Sequence, residues 1–286
     1  MSGEFWITQA FNGLSYGALL FLLASGLSLI FGVMRIVNMA HGSYFMLGGY
    51  VGLSVVWRTG SFAAALLAGA LALALVGVGM ERFFLRRLPG QTLGQALMTI
   101  GFALIFQDLA LLIWGGDPYS IPVPATLQGV LTAGALRFPV YRIFIVVVAV
   151  VIGAALWLIL DRTRVGAMLR AAVDDREMAQ GVGIHVPRIS FAVFALGAAL
   201  AALGGVIGAG FLGVYPGADF EVLPYAFVVV IVGGLGSLPG AMVGSLLVGL
   251  LDNFGKALFP ELSYFTLFAP MALILALKPT GLFGRA

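Results

Sequence analysis

The sequence predicts an all-α integral membrane protein: a polytopic bundle of eight or nine transmembrane segments with broken or re-entrant helices and an internal repeat. Three features carry this. Of 286 residues, 61% are apolar and only 9% are charged, against about 45–50% and about 25% in soluble domains. The mean hydropathy is +1.09. The 40 glycines suit membrane helices that pack closely. An ordinary water-soluble enzyme is excluded. The absence of cysteine also excludes a disulfide framework, a thiolate zinc site and thiol catalysis.

A hydrocarbon core about 30 Å thick takes about 20 helical residues. Charge-free runs of about that length or longer lie between Glu4 and Arg35, Arg35 and Arg58, Arg58 and Glu81, and Arg87 and Asp108. Others lie between Arg142 and Asp161, Arg188 and Asp219, Glu221 and Asp252, and Glu261 and Lys278. Residues 118–136 are also uncharged, but Pro118, Pro122 and Pro124 oppose a helix there. The run after Glu221 is divided by Gly233-Gly234-Leu235-Gly236-Ser237-Leu238-Pro239-Gly240, a turn sequence.

Basic residues set the orientation. Arg82, Arg86 and Arg87 lie in one loop, and Arg162, Arg164, Arg170, Arg176 and Arg188 in a second. Lys278 and Arg285 lie in the tail. Alternating crossings place all three on one side, which the positive-inside bias makes cytoplasmic. Residues 115–141 then form an external loop and 161–188 a cytoplasmic one. No signal peptide is expected, because Glu4 rather than a basic cluster precedes the first apolar run. The segment 38–57 either spans or is re-entrant, which decides the side of the N-terminus.

Two glycine-broken stretches stand in the two halves of the chain, around Asn38-Met39-Ala40-His41-Gly42-Ser43-Tyr44 and around Gly233 to Gly240. Paired interruptions point to an internal repeat with a pathway between its halves; close helix packing explains the same glycines. Ionisable groups in apolar surroundings are candidates for function because lipid does not solvate them. They are His41, Asp108 and Asp252, the last with Lys256 one turn on. In the cytoplasmic loop, 167–180 reads as a short helix ended by Gly181 and Gly183, with Arg170, Asp174 and Glu177 on one face. By itself that pattern is read first as a solvated loop helix and second as a docking surface. There is no phosphate-binding glycine loop, zinc-protease motif or nucleophile elbow. The loop arginines are offset by Asp161, Asp174, Asp175 and Glu177, so nucleic-acid binding has no basis.

Several stretches, in order, carry a resemblance. They are Phe11-Asn12-Gly13-Leu14-Ser15-Tyr16-Gly17-Ala18-Leu19, Ile36-Val37-Asn38-Met39-Ala40-His41-Gly42, Arg164-Val165-Gly166 through Gly183-Ile184, Gly233 to Ala241, and Lys278-Pro279-Thr280-Gly281-Leu282-Phe283-Gly284. Together they resemble the LivH-type permease subunit of branched-chain amino-acid ABC importers. The resemblance implies one transmembrane permease domain over 1–286 in the bacterial inner membrane, with no cofactor and no catalysis of its own. It implies a second, LivM-type permease subunit, two cytoplasmic ATPase subunits that use ATP, and a periplasmic binding protein. The helix 167–180 becomes a coupling helix in which Arg170, Asp174, Asp175, Arg176 and Glu177 meet the ATPase and Gly181 and Gly183 re-aim the chain. Asn38, His41, Gly42, Tyr44, Asp108, Gly233, Gly234, Gly236 and Ser237 are expected along the substrate pathway. Relatives of this kind also serve urea, amides or aromatic carboxylates, and a self-sufficient gradient-driven carrier is the alternative of another class.

Overall fold

The structure, a computed structural model, describes residues 3–284. Arg285 of the basic tail lies outside the described residues, as do the side chains of Ala133, Arg176, Ser263 and Tyr264. The helices are α1 (Gly3–Met34), α2 (His41–Thr59), α3 (Phe62–Phe83), α4 (Thr92–Trp114) and α5 (Val140–Arg162). They continue as α6 (Arg164–Asp174), α7 (Arg176–Gly181), α8 (Val186–Ala209), α9 (Ala218–Gly233), α10 (Leu238–Leu258) and α11 (Ser263–Leu277). An all-α polytopic membrane protein is therefore what the chain forms, with one small addition. Residues 115–139 carry a hairpin of β1 (Val130–Ala133) and β2 (Leu136–Pro139), turned through Gly134 at φ 64°.

Six described helices are long and apolar enough to cross a membrane: α1, α3, α4, α5, α8 and α10. The remaining apolar helices, α2, α9 and α11, are shorter or more polar: the runs that hold α2 and α9 give up residues to a turn, and the run between Glu261 and Lys278 is itself short. The run from Arg35 loses 35–40 to an irregular link, and Gly60, left-handed at φ 67°, ends α2 by donating its N–H to Val56 O. Ser61 then starts α3, its Oγ accepting from the Ala64 N–H at 3.2 Å. The expected turn at Gly233 to Gly240 is present as the corner between α9 and α10, with Ser237 as N-cap of α10 and Pro239 in its first turn.

The core is built around α1, whose residues from Ser15 to Ile30 are nearly all buried. In lipid no water drives helices together, so close backbone approach must supply the attraction. Glycine provides it. A side chain at Gly26 would run into the backbone of Gly197 in α8, and one at Gly13 would meet Leu250 in α10. Gly48 of α2 lies equally close to Ala202 of α8. By contrast α4 and α5 turn most of their length outward, with Leu104, Leu112, Val147, Val151 and Leu158 exposed. The seam predicts a measurable asymmetry. Gly26→Leu should cost about 3 kcal/mol by overpacking, read as a lowered unfolding temperature in detergent. Gly79→Leu, which faces open space, should leave that temperature unchanged.

Candidate substrate pathway and coupling elements

The link 35–40 enters the bundle rather than running over it. Arg35 leaves α1 with φ 54°, the one non-glycine residue at positive φ among those described. Asn38 and Ala40 are fully buried, and so is His41 at the start of α2. Buried backbone outside a helix needs partners, and here they come from within the link and from α4. Asn38 Oδ1 accepts the Ala40 N–H at 3.1 Å, an Asx-type turn. Thr99 of α4 accepts the Met39 N–H at 3.1 Å. His41 donates through Nε2 to Leu23 O of α1 at 2.9 Å. Leu23 is eleven residues, about 16 Å of helix, from the end of α1, so α2 begins at depth.

The first turn of α2 meets the first turn of α9. Ser43 Oγ donates to Asp219 Oδ2 at 2.7 Å, and Asp219 is 2% exposed. Gly42 lies against the Asp219 carbonyl, where any side chain would clash. The carboxylate sits in the first turn of its own helix, where the helix dipole favours a negative charge. Its Oδ1 has no side-chain partner, and neither has His41 Nδ1. Tyr44, fully buried, donates to the Met80 sulfur of α3 at 3.4 Å and packs edge-on to Phe194 of α8. Asn38, His41, Gly42 and Tyr44 are therefore brought together where α1, α2, α3, α4, α8 and α9 converge.

The other residues expected along the pathway lie elsewhere. Gly233, Gly234, Gly236 and Ser237 form a corner at the end of the bundle, with Leu235 exposed. Gly234 (φ 106°) and Gly236 (φ 79°) take conformations that side chains avoid. Gly236 rests on Gly32 of α1, and Ser28 Oγ donates to Ser237 O at 3.3 Å. The segment after α11 closes this corner: the N–H groups of Leu282 and Phe283 donate to Val232 O and Gly233 O at 2.8 and 2.9 Å. They satisfy carbonyls that the last turn of α9 leaves open. Asp108 is on the outer face of α4, exposed among Leu104, Ile105, Leu109 and Leu112. Asp252 is buried, not solvated, and held by Lys256 Nζ at 2.8 Å and the Tyr225 hydroxyl at 3.2 Å.

The loop 161–188 departs from the expected single helix over 167–180. It forms α6 and α7, separated at Asp175, whose backbone is extended (φ −148°, ψ 104°) and whose Oδ1 accepts the Met178 N–H at 2.9 Å. A carboxylate that caps the next helix competes with continuing the previous one. Thr163 caps α6, accepting from the Gly166 N–H, and Gly166 packs so tightly on Leu160 that no side chain fits. Arg170 pairs with Asp161 at 3.6 Å and also donates to Leu160 O, bracing the α5–α6 corner. Glu177 thus stands on a different helix from Arg170 and Asp174. Gly181 ends α7, Gly183 turns at φ 89°, and Ile184 N–H returns to Ala179 O at 2.9 Å. Ala172, Ala179 and Val186 bury against one another and pin the loop to the start of α8. Met178 and Val182 remain exposed, 66% and 71%.

A family model described as the branched-chain amino acid transport system / permease component matches residues 9–277. The chain belongs to that family. It is 31% identical to the high-affinity branched-chain amino acid transport system permease protein LivH of Escherichia coli K12, over 100% of this chain and 98% of that one. It is 30% identical to the permease protein BraD of Pseudomonas aeruginosa, over 98% and 96%. The ribose import permease protein RbsC of Escherichia coli K12 is 26% identical, over 95% and 84%. No solved structure matches the chain.

Asp219 and Ser43 are the pair in this permease that sequence reasoning missed. Asp219 was legible only as the end of an apolar run, although Pro216-Gly217-Ala218-Asp219 has the form of a helix start with an acid in the first turn. Met178 and Val182 were passed over for their charged neighbours. The Ser43–Asp219 contact predicts energetic coupling. A double-mutant cycle of Ser43→Ala and Asp219→Asn, followed by unfolding in detergent, should give about 1–2 kcal/mol of interaction. Additive effects would show that the two helix starts are held together by packing alone.

Proposed function

We propose that this chain is the membrane-spanning subunit of an ATP-driven importer that passes branched-chain or other hydrophobic amino acids, handed over by a periplasmic binding protein, into the cytoplasm. The observation that carries this reading is the family match over 9–277 together with relatives named for that transport along essentially their whole length. The same framework, at lower identity, occurs in a ribose import permease, which supports a pathway that accepts what the binding protein delivers. A second permease subunit and two ATPase subunits complete the complex, and ATP is bound and hydrolysed there. The membrane is the bacterial inner membrane.

In this reading α2, α9 and α11 cross together with the six longer helices. Nine crossings put the start of α1 outside and residues 278–284 inside, in agreement with the arginines at 82–87 and 162–188. The junction of α2 and α9 lies along the pathway. Two helices that begin inside the bundle can tilt about their first turns while α1 and α10 stay clamped by their glycine seam. Substrate shifts such an equilibrium only by binding its two states differently, and the loaded binding protein supplies that difference.

The α6–α7 pair is the lever. Its ends are fixed by the Gly166 corner and by the Ala172–Ala179–Val186 contact, so a push on α7 reaches α5 and α8 with little lost in bending. Exposed Met178 and Val182 give an ATPase groove an apolar anchor, and Asp174, Asp175 and Glu177 a polar rim. The decisive experiment reconstitutes the chain with its second permease, ATPases and binding protein and follows leucine entry into vesicles. Entry should require ATP; entry driven by an ion gradient without ATP would overturn the importer reading. Asp175→Arg with Glu177→Arg should abolish ATP-dependent uptake while the protein stays in the membrane. Met178→Asp with Val182→Asp should lower ATPase co-purification about tenfold or more, as loss of an anchor does.

A further inference from the structure

The arginine-rich end of the bundle holds a cavity that the transport reading leaves unused. It has a volume of about 250 Å³ and lies between the end of α3 and the start of α8. Six residues line it: Arg82, Arg86, His185, Pro187, Arg188 and Phe191. Four are basic or can be, and none is acidic. Arg86 is fixed in place, pairing with Glu81 of α3 at 3.3 Å and donating to Pro187 O at 3.3 Å. It thereby ties the foot of α3 to the foot of α8. Arg82 and Arg188 have no ion-pair partner among the described residues. His185 accepts the Arg188 N–H on Nδ1 at 3.3 Å, which leaves its Nε2 free to donate. Three guanidinium groups with one carboxylate among them repel one another, and an anion in the cavity relieves that repulsion.

The surroundings select among anions. Arg82 sits in the last turn of α3, where a membrane span ends. Next to it in the chain, Phe83 and Phe84 are exposed by 55% and 42%, and Phe191 forms the apolar wall. A soluble anion gains nothing from exposed aromatic rings at the foot of a span. A lipid does, because its phosphate and its acyl chains occupy neighbouring positions there. Basic pockets between membrane helices on the cytoplasmic side hold anionic headgroups by this combination.

We propose that this cavity binds the phosphate of an anionic phospholipid of the cytoplasmic leaflet, with Arg82, Arg188 and His185 as donors. The site rests on the reading above only for which end faces the cytoplasm. Lipid binding does not require transport, so the two can fail separately. A bound lipid staples α3 to α8 immediately after the α6–α7 lever, and the site therefore sets how firmly the lever is attached to the span that follows it.

The test uses the full chain, purified with its partner subunits from vesicles of equal parts phosphatidylglycerol and phosphatidylcholine. Native mass spectrometry reads the lipid retained. The wild type should keep phosphatidylglycerol in preference to phosphatidylcholine. Arg82→Gln with Arg188→Gln should lower that retention about tenfold or more, and Arg58→Gln, in the last turn of α2, should not. Should the double variant fail to fold, each single substitution should still lower retention several-fold. Equal retention of the two lipids, or a preference untouched by the substitutions, overturns the proposal. So does displacement of the lipid by inorganic phosphate alone, which would make the ligand a soluble anion. Loss of the ATPase subunits from the double variant with lipid retention unchanged would assign the arginines to a protein partner instead.

Discussion

A helix broken inside an apolar bundle exposes N–H and C=O groups that lipid cannot satisfy, and the rest of this structure is arranged around one such break. The link 35–40 finds its partners on α1, on α4 and within itself, and the helix that follows is anchored by Ser43 on Asp219. None of these partners is replaceable by solvent. The first turn of α2 is therefore satisfied only with those elements in place. This dependence explains why a short, glycine-rich helix touches so many neighbours, and why Gly42 must be bare against the carbonyl of Asp219.

Around that point the packing divides the molecule into a clamped part and a free part. α8 and α10 each approach α1 through glycines, at distances that leave no room for adjustment. α4 and α5 have few buried positions and present largely apolar faces outward, that of α4 interrupted by Asp108. Interiors of native density shift between discrete arrangements more readily than they deform.

Much of this was legible in the sequence. The long helices follow the charge-free runs because burying a charge in hydrocarbon is costly, and that cost operates locally. The corner at Gly234 and Gly236 was legible for a similar reason, since positive φ selects glycine residue by residue. What escaped were features decided by distant partners. An aspartate ends an apolar run whether the chain there meets water or folds inward, and Asp219 folds inward because Ser43, far away in sequence, receives it. Asp252 was legible as an ionisable group beside Lys256, but its burial was not, because Tyr225, which also holds it, lies on another helix. The single helix expected over 167–180 rested on uniformly good helix formers, and gave way at Asp175 because its side chain caps the next helix instead.

The corner after α9 has a consequence for the order in which the chain is made. The last carbonyls of that helix, Val232 and Gly233, receive their hydrogen bonds from Leu282 and Phe283, which follow two further helices in the sequence. While the ribosome is still adding α10 and α11, the end of α9 is open and the glycine corner is unsealed. The corner is locked by a late-arriving stretch of backbone rather than by the helix it protects, so it closes only once residues 282 and 283 have been made.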